Sequence, residues 1–238
     1  MPNPYFSFKQ FTVFHDQCAM KVGVDGVLIG AWTPTATAQS ILDVGTGSGL
    51  IALMLAQRCP HATIHAVDVA EDAIRQANFN VQNSPWSNRI SLHHFAFQDF
   101  VKSHQIKYDL IVSNPPYFVN SLKATSDKRN LARHTDSLSH LELVELSASI
   151  LNPNGVIAII LPLEEGRQCI HDAAELGLYC KTVVEVHPKP NNQAKRLLIA
   201  FCLIKCEMSV SQLYIETDVR HQYSSQFSEL VKDFYLKL

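Results

Sequence analysis

The chain has 238 residues, 47% of them apolar and 18% charged, with a net charge of −2. This composition excludes a disordered or low-complexity chain and is sufficient for one core without disulfide or metal staples. The longest apolar runs, 156–163 and 197–204, are far too short to span a bilayer.

The opening Met1-Pro2-Asn3-Pro4-Tyr5 has neither the basic nor the apolar block of an export signal. Six cysteines form no CxxC pair, so they read as reduced thiols of a cytoplasmic protein. Cys202 and Cys206 share one strand face and are expected in the core. His61, His65, His93 and His94 lack Cys or carboxylate partners at ligand spacing, so no metal site is expected.

From Ser40 onward, short β-branched runs alternate with amphipathic ones. Strands are predicted over 40–44, 62–67, 90–95, 108–113 and 156–161, with helices over 50–58, 70–83, 138–151 and 164–176. Asn152-Pro153-Asn154-Gly155 reads as a helix stop. The polar stretch 118–137 reads as a loop. Two consecutive strands, 182–187 and 197–204, close the pattern. Five strand–helix units followed by a hairpin predict a mostly parallel sheet with one antiparallel strand and helices on both faces.

The first strand runs into Asp43-Val44-Gly45-Thr46-Gly47-Ser48-Gly49. Glycines at alternate positions allow a tight turn and a close backbone approach to a ligand, at the positive end of the next helix. Asp68 stands nineteen residues past the last glycine, at the next strand end, where an acid binds ribose hydroxyls. The spacing is GxGxG rather than the dinucleotide GxGxxG. Asp43 would repel a diphosphate and accommodate a cationic amino acid.

Asn114-Pro115-Pro116-Tyr117 closes the fourth strand, in the crevice where open α/β sheets bind ligands. Two prolines remove two amide donors, which leaves carbonyl oxygens to face a substrate. The Asn114 side-chain oxygen and the Pro115 carbonyl can both accept from one amino group, and Tyr117 offers a stacking face. Two segments are locally basic. One holds Lys123, Lys128, Arg129 and Arg133; the other, Lys181 to Arg196, includes Lys195 and Arg196. Such segments can steer a nucleic acid.

Asp-x-Gly-x-Gly-x-Gly resembles motif I of the class I S-adenosylmethionine (SAM) methyltransferases, and Asn-Pro-Pro-Tyr resembles motif IV of the amino-group methyltransferases. Those four residues leave adenine, ribosomal RNA guanine N2 and a protein glutamine open as acceptors. Phe8–Phe11, His15–Trp32, Ala132–Thr135 and the tail with Tyr223-Ser224 and Phe234-Tyr235-Leu236 resemble the bacterial tRNA (adenine-N6)-methyltransferases. These act on adenosine 37 of a valine tRNA. Val24 departs from the family pattern, which has Thr there.

The resemblance implies a Rossmann-like, seven-stranded class I methyltransferase in a single domain. Residues 1–38 would form an extension covering the SAM pocket, 39–206 the catalytic core and 207–238 an appendage. Asp43, Gly45, Thr46, Gly47 and Gly49 would hold the methionine half of SAM. Asp68 with Val69 would hold the ribose, and Asp99 with Phe100 the adenine. Lys21, Asp25 and Asn114 would border the same pocket. Asn114, Pro115, Pro116 and Tyr117 would be catalytic. Lys123, Lys128, Arg129, Arg133, Lys195 and Arg196 would contact tRNA. No metal is implied, and a monomer is expected.

Overall fold

The computed structural model describes residues 3–18, 21–116, 138–219 and 221–238. The chain opens with a small antiparallel pair, β1 (Tyr5–Ser7) and β2 (Thr12–Phe14), followed by helix α1 (Val24–Trp32). The alternating part begins with β3 (Ser40–Val44), α2 (Leu50–Arg58), β4 (Thr63–Asp68) and α3 (Glu71–Gln82). It continues with β5 (Ile90–His94), α4 (Phe97–Ser103) and β6 (Tyr108–Ser113). Then come α5 (His140–Ser149), β7 (Leu151–Pro162), α6 (Leu163–Glu175) and β8 (Tyr179–His187). The chain ends with β9 (Arg196–Cys202), β10 (Ser209–Tyr214) and α7 (Ser225–Val231).

The large sheet has eight strands in the order β10-β8-β9-β7-β6-β3-β4-β5. Only β9 runs antiparallel to its neighbours, β7 and β8. The expected count of seven is corrected by β10, which pairs in parallel with β8. Its sequence buries only Leu213, so it has the composition of a solvated loop and becomes a strand because β8 offers an edge. The expected helix stop at 152–155 also lies within β7. There the ladder passes from Tyr108 opposite Leu151 to Leu110 opposite Val156, which places the extra residues in a bulge. Cys202 is buried, but Cys206 lies beyond the strand and is exposed, correcting its expected place in the core.

Strands β3, β6 and β7 are near-continuous apolar runs because helices cover both faces of a parallel sheet. Their side chains alternate between two cores. Ile41, Leu110, Val112, Ala158 and Ile160 join the layer under α1, α2 and α7. Leu42, Ile111, Ile157, Ile159 and Leu161 join the layer under α4, α5 and α6. Strand order reverses between β3 and β6. There the Ser113 hydroxyl donates to the Val44 carbonyl at 2.7 Å and ties the two carboxyl ends together. The crevice that positions ligands in such sheets opens at this point.

Helix α1 lies close against α2 because two glycines, four residues apart, face it. A Cβ at Gly26 would stand 2.9 Å from Leu50 Cδ2, and one at Gly30 would stand 2.7 Å from Met54 Sδ. Met54 is fully buried, so it has no solvent-side space to move into. Gly30→Val is expected to lower the stability of the fold by about 1–3 kcal/mol through overpacking, read as an earlier urea midpoint. An unchanged midpoint would show that α1 can rise from α2 at no cost.

On the other side of the sheet the imidazoles of His65, His93 and His104 are neighbours, with centroids 5.0 and 5.2 Å from His93. Burial, then His65 and His104, holds His93 down at about 4. The unfolded chain binds this proton near 6.5. Between those values the unfolded state carries more protons, so stability from this group falls as pH drops from 6.5 toward 4. Asp43, raised to about 7 by burial, has the opposite sign. The comparison is therefore made against a His93→Gln variant. Wild type is expected to lose about 1–2 kcal/mol more than the variant between pH 7 and pH 4.5, a figure reduced for partial solvent exposure. Parallel pH profiles would contradict it.

Candidate active site

The loop after β3 is held from two sides. Gly45, Gly47 and Gly49 have φ of 73°, 55° and 81°, the left-handed region that glycine enters without strain. The amides of Gly45 and Thr46 both donate to the Val67 carbonyl, at 2.9 and 3.1 Å. Beneath the loop, Asp43 Oδ2 accepts from the Thr46 hydroxyl at 2.6 Å and from the Ala52 amide at 3.1 Å. Burial pushes this carboxyl up to about 7 against those two bonds. Its Oδ1 is buried with no hydrogen-bond partner among the described residues.

Asp43 is wholly buried. It braces the loop from below through Thr46 and Ala52 and is not among the residues that line the cleft. Gly49 is likewise a packing position, since a Cβ there would meet Ala77 of α3 at 3.4 Å. Gly45 and Gly47 differ: a Cβ at either would meet nothing within 4 Å. The open space above these two backbones is a cradle for a ligand.

Asp68 ends β4 and faces the same loop. Its Oδ2 accepts from the Gly47 amide at 2.8 Å, and its Oδ1 from the Ala70 amide at 2.9 Å. Each oxygen keeps a further lone pair for a hydroxyl donor. Val69 beside it is 69% exposed. Phe100 is corrected outright: its ring is fully buried and stacked on His104 at 4.2 Å. Asp99 sits in the first turn of α4, exposed and paired with Lys102 at 3.4 Å. Phe95 is the exposed aromatic that follows β5: its amide donates to the Asp68 carbonyl at 3.1 Å, and its ring meets His104 edge-on at 5.7 Å. Its signal in the sequence is its place directly after the strand, one residue past His94.

A cleft of about 250 Å³ opens over the loop. Its walls come from three distant segments: 21–26 at the start of α1, 45–48 with Leu50 and Ile51, and Asn114-Pro115 after β6. Lys21 and Asp25 therefore face the glycine loop across the cleft. Asp25 accepts from Arg196 Nε at 2.9 Å, a part-buried pair joining α1 to the start of β9. Arg196 thus holds one residue of the cleft wall, Asp25, while Lys195 next to it is exposed. Tyr117 and the expected contacts Lys123, Lys128, Arg129 and Arg133 lie outside the described residues. Among the described residues no group of three or more His, Cys, Asp or Glu side chains is placed to hold a metal ion.

Sequence reasoning missed the residues that hold the N-terminal wall in place. Asn80 of α3 is buried, and its amide donates to the carbonyls of Phe14 and Ser48, both at 2.8 Å, while its oxygen accepts from the Phe14 amide at 2.9 Å. One side chain thus joins the extension, a helix and the glycine loop. Gln76, one turn earlier, accepts from the Gln17 amide at 2.9 Å. Buried His15 accepts from the Val22 amide through Nδ1 at 3.3 Å, so Nε2 carries the proton and donates to the Asn3 carbonyl at 3.0 Å. Buried polar residues on the apolar face of a helix were the available signal.

Comparison with known proteins places this geometry. The family model "Methyltransferase small domain" matches residues 26–168. A tRNA1(Val) (adenine(37)-N6)-methyltransferase of Parabacteroides distasonis is 50% identical, with all of both chains covered. Proteins of the same name are 47% identical in Phocaeicola vulgatus, again over both whole chains, and 43% identical in Trichodesmium erythraeum, over 98% of each. Among solved structures, a predicted O-methyltransferase of Agrobacterium tumefaciens superposes with a TM-score of 0.71 at 16% identity. It covers 88% of this chain and 96% of that one. A ribosomal protein L11 methylase of Lactobacillus delbrueckii superposes at 0.53 and 17% identity, over 74% and 75%. These two likenesses concern the fold. The chain belongs to the methyltransferase small domain family and, within it, to the tRNA1(Val) (adenine(37)-N6)-methyltransferases.

Proposed function

We propose that this chain methylates the exocyclic N6 of adenosine 37 in a valine tRNA, with SAM as methyl donor, in the cytoplasm. The observation that carries the reading is the cleft itself. An open glycine cradle faces the acceptor pair Asn114-Pro115 across a space walled by Lys21–Gly26. The full-length relatives carry the same activity in their names.

The residues present fit SAM. The empty space over Gly45 and Gly47 admits a close ligand backbone. Asp68 has lone pairs for ribose hydroxyls, and Val69 and Phe95 offer apolar surface beside it for the adenine. Lys21 and Asp25 supply one charge of each sign for the amino-acid end. When bound, SAM supplies an activated methyl group on a sulfonium centre.

The protein's own task is positioning. The lone pair of an adenine amino nitrogen is delocalised into the ring. Asn114 Oδ1 and the Pro115 carbonyl accept its two N–H groups, favour the pyramidal nitrogen and stabilise the positive charge it develops. Pro115 and Pro116 contribute no N–H that would compete. The methylated nitrogen is acidic enough to lose its proton to water, so the site needs no general base. The base reaches the cleft unstacked, which an anticodon loop permits, and Tyr117 gives it a face to lie on.

Nucleoside mass spectrometry on tRNA and rRNA from cells lacking the gene tests the substrate class. The expected loss is N6-methyladenosine from tRNA alone. Loss of N2-methylguanosine from rRNA, or N6-methyladenosine in tRNA at the wild-type level, would replace this reading.

Lys123, Lys128, Arg129 and Arg133 directly follow the acceptor motif in sequence and are proposed to grip phosphates beside the target base, with Lys195 and Arg196 nearby. Replacing Arg129 and Arg133 with Ala is expected to weaken tRNA binding without changing SAM affinity. Each lost phosphate contact flattens the slope of log affinity against log salt by about 0.7–0.9. Equal slopes for the double variant and wild type would move the phosphate contacts to residues 181–196.

A further inference from the structure

We infer that Arg196 is a positioning residue for the cofactor side of the cleft: through its ion pair with Asp25 it fixes the first turn of α1 against the sheet that carries the acceptor motif. The inference deepens the proposed function and rests on it. Arg196 Nε donates to Asp25 Oδ2 at 2.9 Å, and the pair is part-buried. Asp25 lines the cleft together with Lys21, Gly47 and Asn114. Arg196 is not part of that lining, so it reaches a bound cofactor through Asp25.

The start of α1 needs a tie from outside the helix. Its N-cap is Gly23, a residue with no side chain to cap the first amides. The Gly23 carbonyl accepts from the Val27 amide at 3.3 Å, a long bond for the first turn. Val24 is exposed, so packing does not hold this end. Asp25 is the acidic residue of the turn, where the positive end of the helix favours it. Arg196 offers the opposite: a rigid base. It is the first residue of β9, opposite Pro162 of β7 on one side and Val186 of β8 on the other. Its Nη1 donates to the Lys195 carbonyl at 2.9 Å, and the Lys195 amide donates to the Val186 carbonyl at 2.8 Å.

The tie reaches both walls of the cleft. Strand β7 pairs with β6, with Ile159 opposite Ser113, and the next residue after Ser113 is Asn114. Backbone ladders therefore lead from Arg196 to the acceptor motif, and the ion pair joins them to the wall that carries Lys21 and Asp25. Breaking it lets the first turn of α1 drift from the amino-acid end of the cofactor. A purely electrostatic role has the opposite sign: losing the Arg196 cation leaves the Asp25 charge uncompensated, and the cationic sulfonium would bind more tightly. S-adenosylhomocysteine lacks that charge and isolates the positional effect. A phosphate contact would differ again, acting on tRNA affinity and its salt dependence and not on the cofactor.

The test is calorimetric titration of the full chain, without RNA, with S-adenosylhomocysteine and with SAM. Wild type is compared with Arg196→Ala, Arg196→Lys, Asp25→Ala and the double variant Asp25→Ala/Arg196→Ala. Arg196→Ala is expected to weaken S-adenosylhomocysteine roughly 5- to 30-fold, less than a fully buried charged bond would give because the pair is partly exposed. Arg196→Lys, which keeps a cationic donor, should come within about threefold of wild type. The double variant should bind no more weakly than Asp25→Ala alone, because Arg196 acts through Asp25. A merely structural role would show no rescue by Lys and would add its loss to that of Asp25→Ala. If Arg196→Ala does not fold, Arg196→Met, which keeps the apolar stem, carries the same expectation. Affinity for S-adenosylhomocysteine within twofold of wild type overturns the inference, as do tighter SAM binding and additive losses in the double variant. Unchanged cofactor affinity with a flatter salt dependence of tRNA binding would assign Arg196 to the RNA instead. A wild-type protein that binds neither ligand would remove the underlying reading.

Discussion

Asn114→Ala is expected to reduce turnover at saturating substrates roughly 100- to 1000-fold, about 2.7–4 kcal/mol of transition-state stabilisation. The fold and SAM affinity should survive. Asn114 is half-buried at the end of β6, and the ladder partners Val44 and Ser113 that hold the strand end remain. The size of the effect follows from where charge develops. The amino nitrogen is nearly neutral before transfer and cationic during it, so an oxygen aimed at its N–H gains strength only as the reaction proceeds. Single-turnover methyl transfer, with SAM binding followed by calorimetry, separates the two quantities. Turnover within a few-fold of wild type would remove Asn114 from the acceptor role.

Asp68→Ala is expected to weaken SAM and S-adenosylhomocysteine to the same extent, roughly 10- to 100-fold in dissociation constant. The ribose is common to both ligands, and hydrogen bonds to a charged group are worth about 1.5–3 kcal/mol. The structure adds a second component. Asp68 also holds the Gly47 and Ala70 amides, so its removal loosens the cradle as well as the ribose contact. Calorimetric titration with each ligand checks this. A loss confined to SAM would place Asp68 near the methyl group, and unchanged affinity for both would remove it from the site.

What the sequence discloses about this protein is mostly local. Runs such as Leu110–Val112 and Ile157–Leu161 are apolar at every position, as a strand covered on both faces requires. The glycine loop is equally readable, because three left-handed residues in five leave little choice but glycine. Features that depend on a distant partner are not readable. Strand β10 exists because β8 has an open edge. The ion pair between Asp25 and Arg196 joins residues 171 positions apart. Asn80 looks like an ordinary polar helix residue until Phe14 and Ser48 are placed beside it.

Two side chains lie elsewhere than their residue types suggest, for a subtler reason. Asp43 has the residue type for a ligand contact, but its place within a fully covered strand turns it beneath the loop. Phe100 adjoins an acid near a strand end, as an adenine contact would. The short helix α4 begins at Phe97, however, and its turn carries Phe100 into the core, leaving Phe95 outside. Predicting that difference requires the helix start to within one residue, the least legible feature of a sequence.

In the proposed reaction the crevice between Gly45–Gly47 and Asn114-Pro115 methylates one adenine amino group in one RNA. It is tested most directly with purified protein, SAM labelled in its methyl group and two unmodified valine tRNA transcripts, one with A37 and one with G37. The expected result is about one methyl per A37 transcript, recovered after digestion as N6-methyladenosine at position 37, and background incorporation in the G37 transcript. Equal incorporation into both transcripts, or a methylated nucleoside other than N6-methyladenosine, would contradict it.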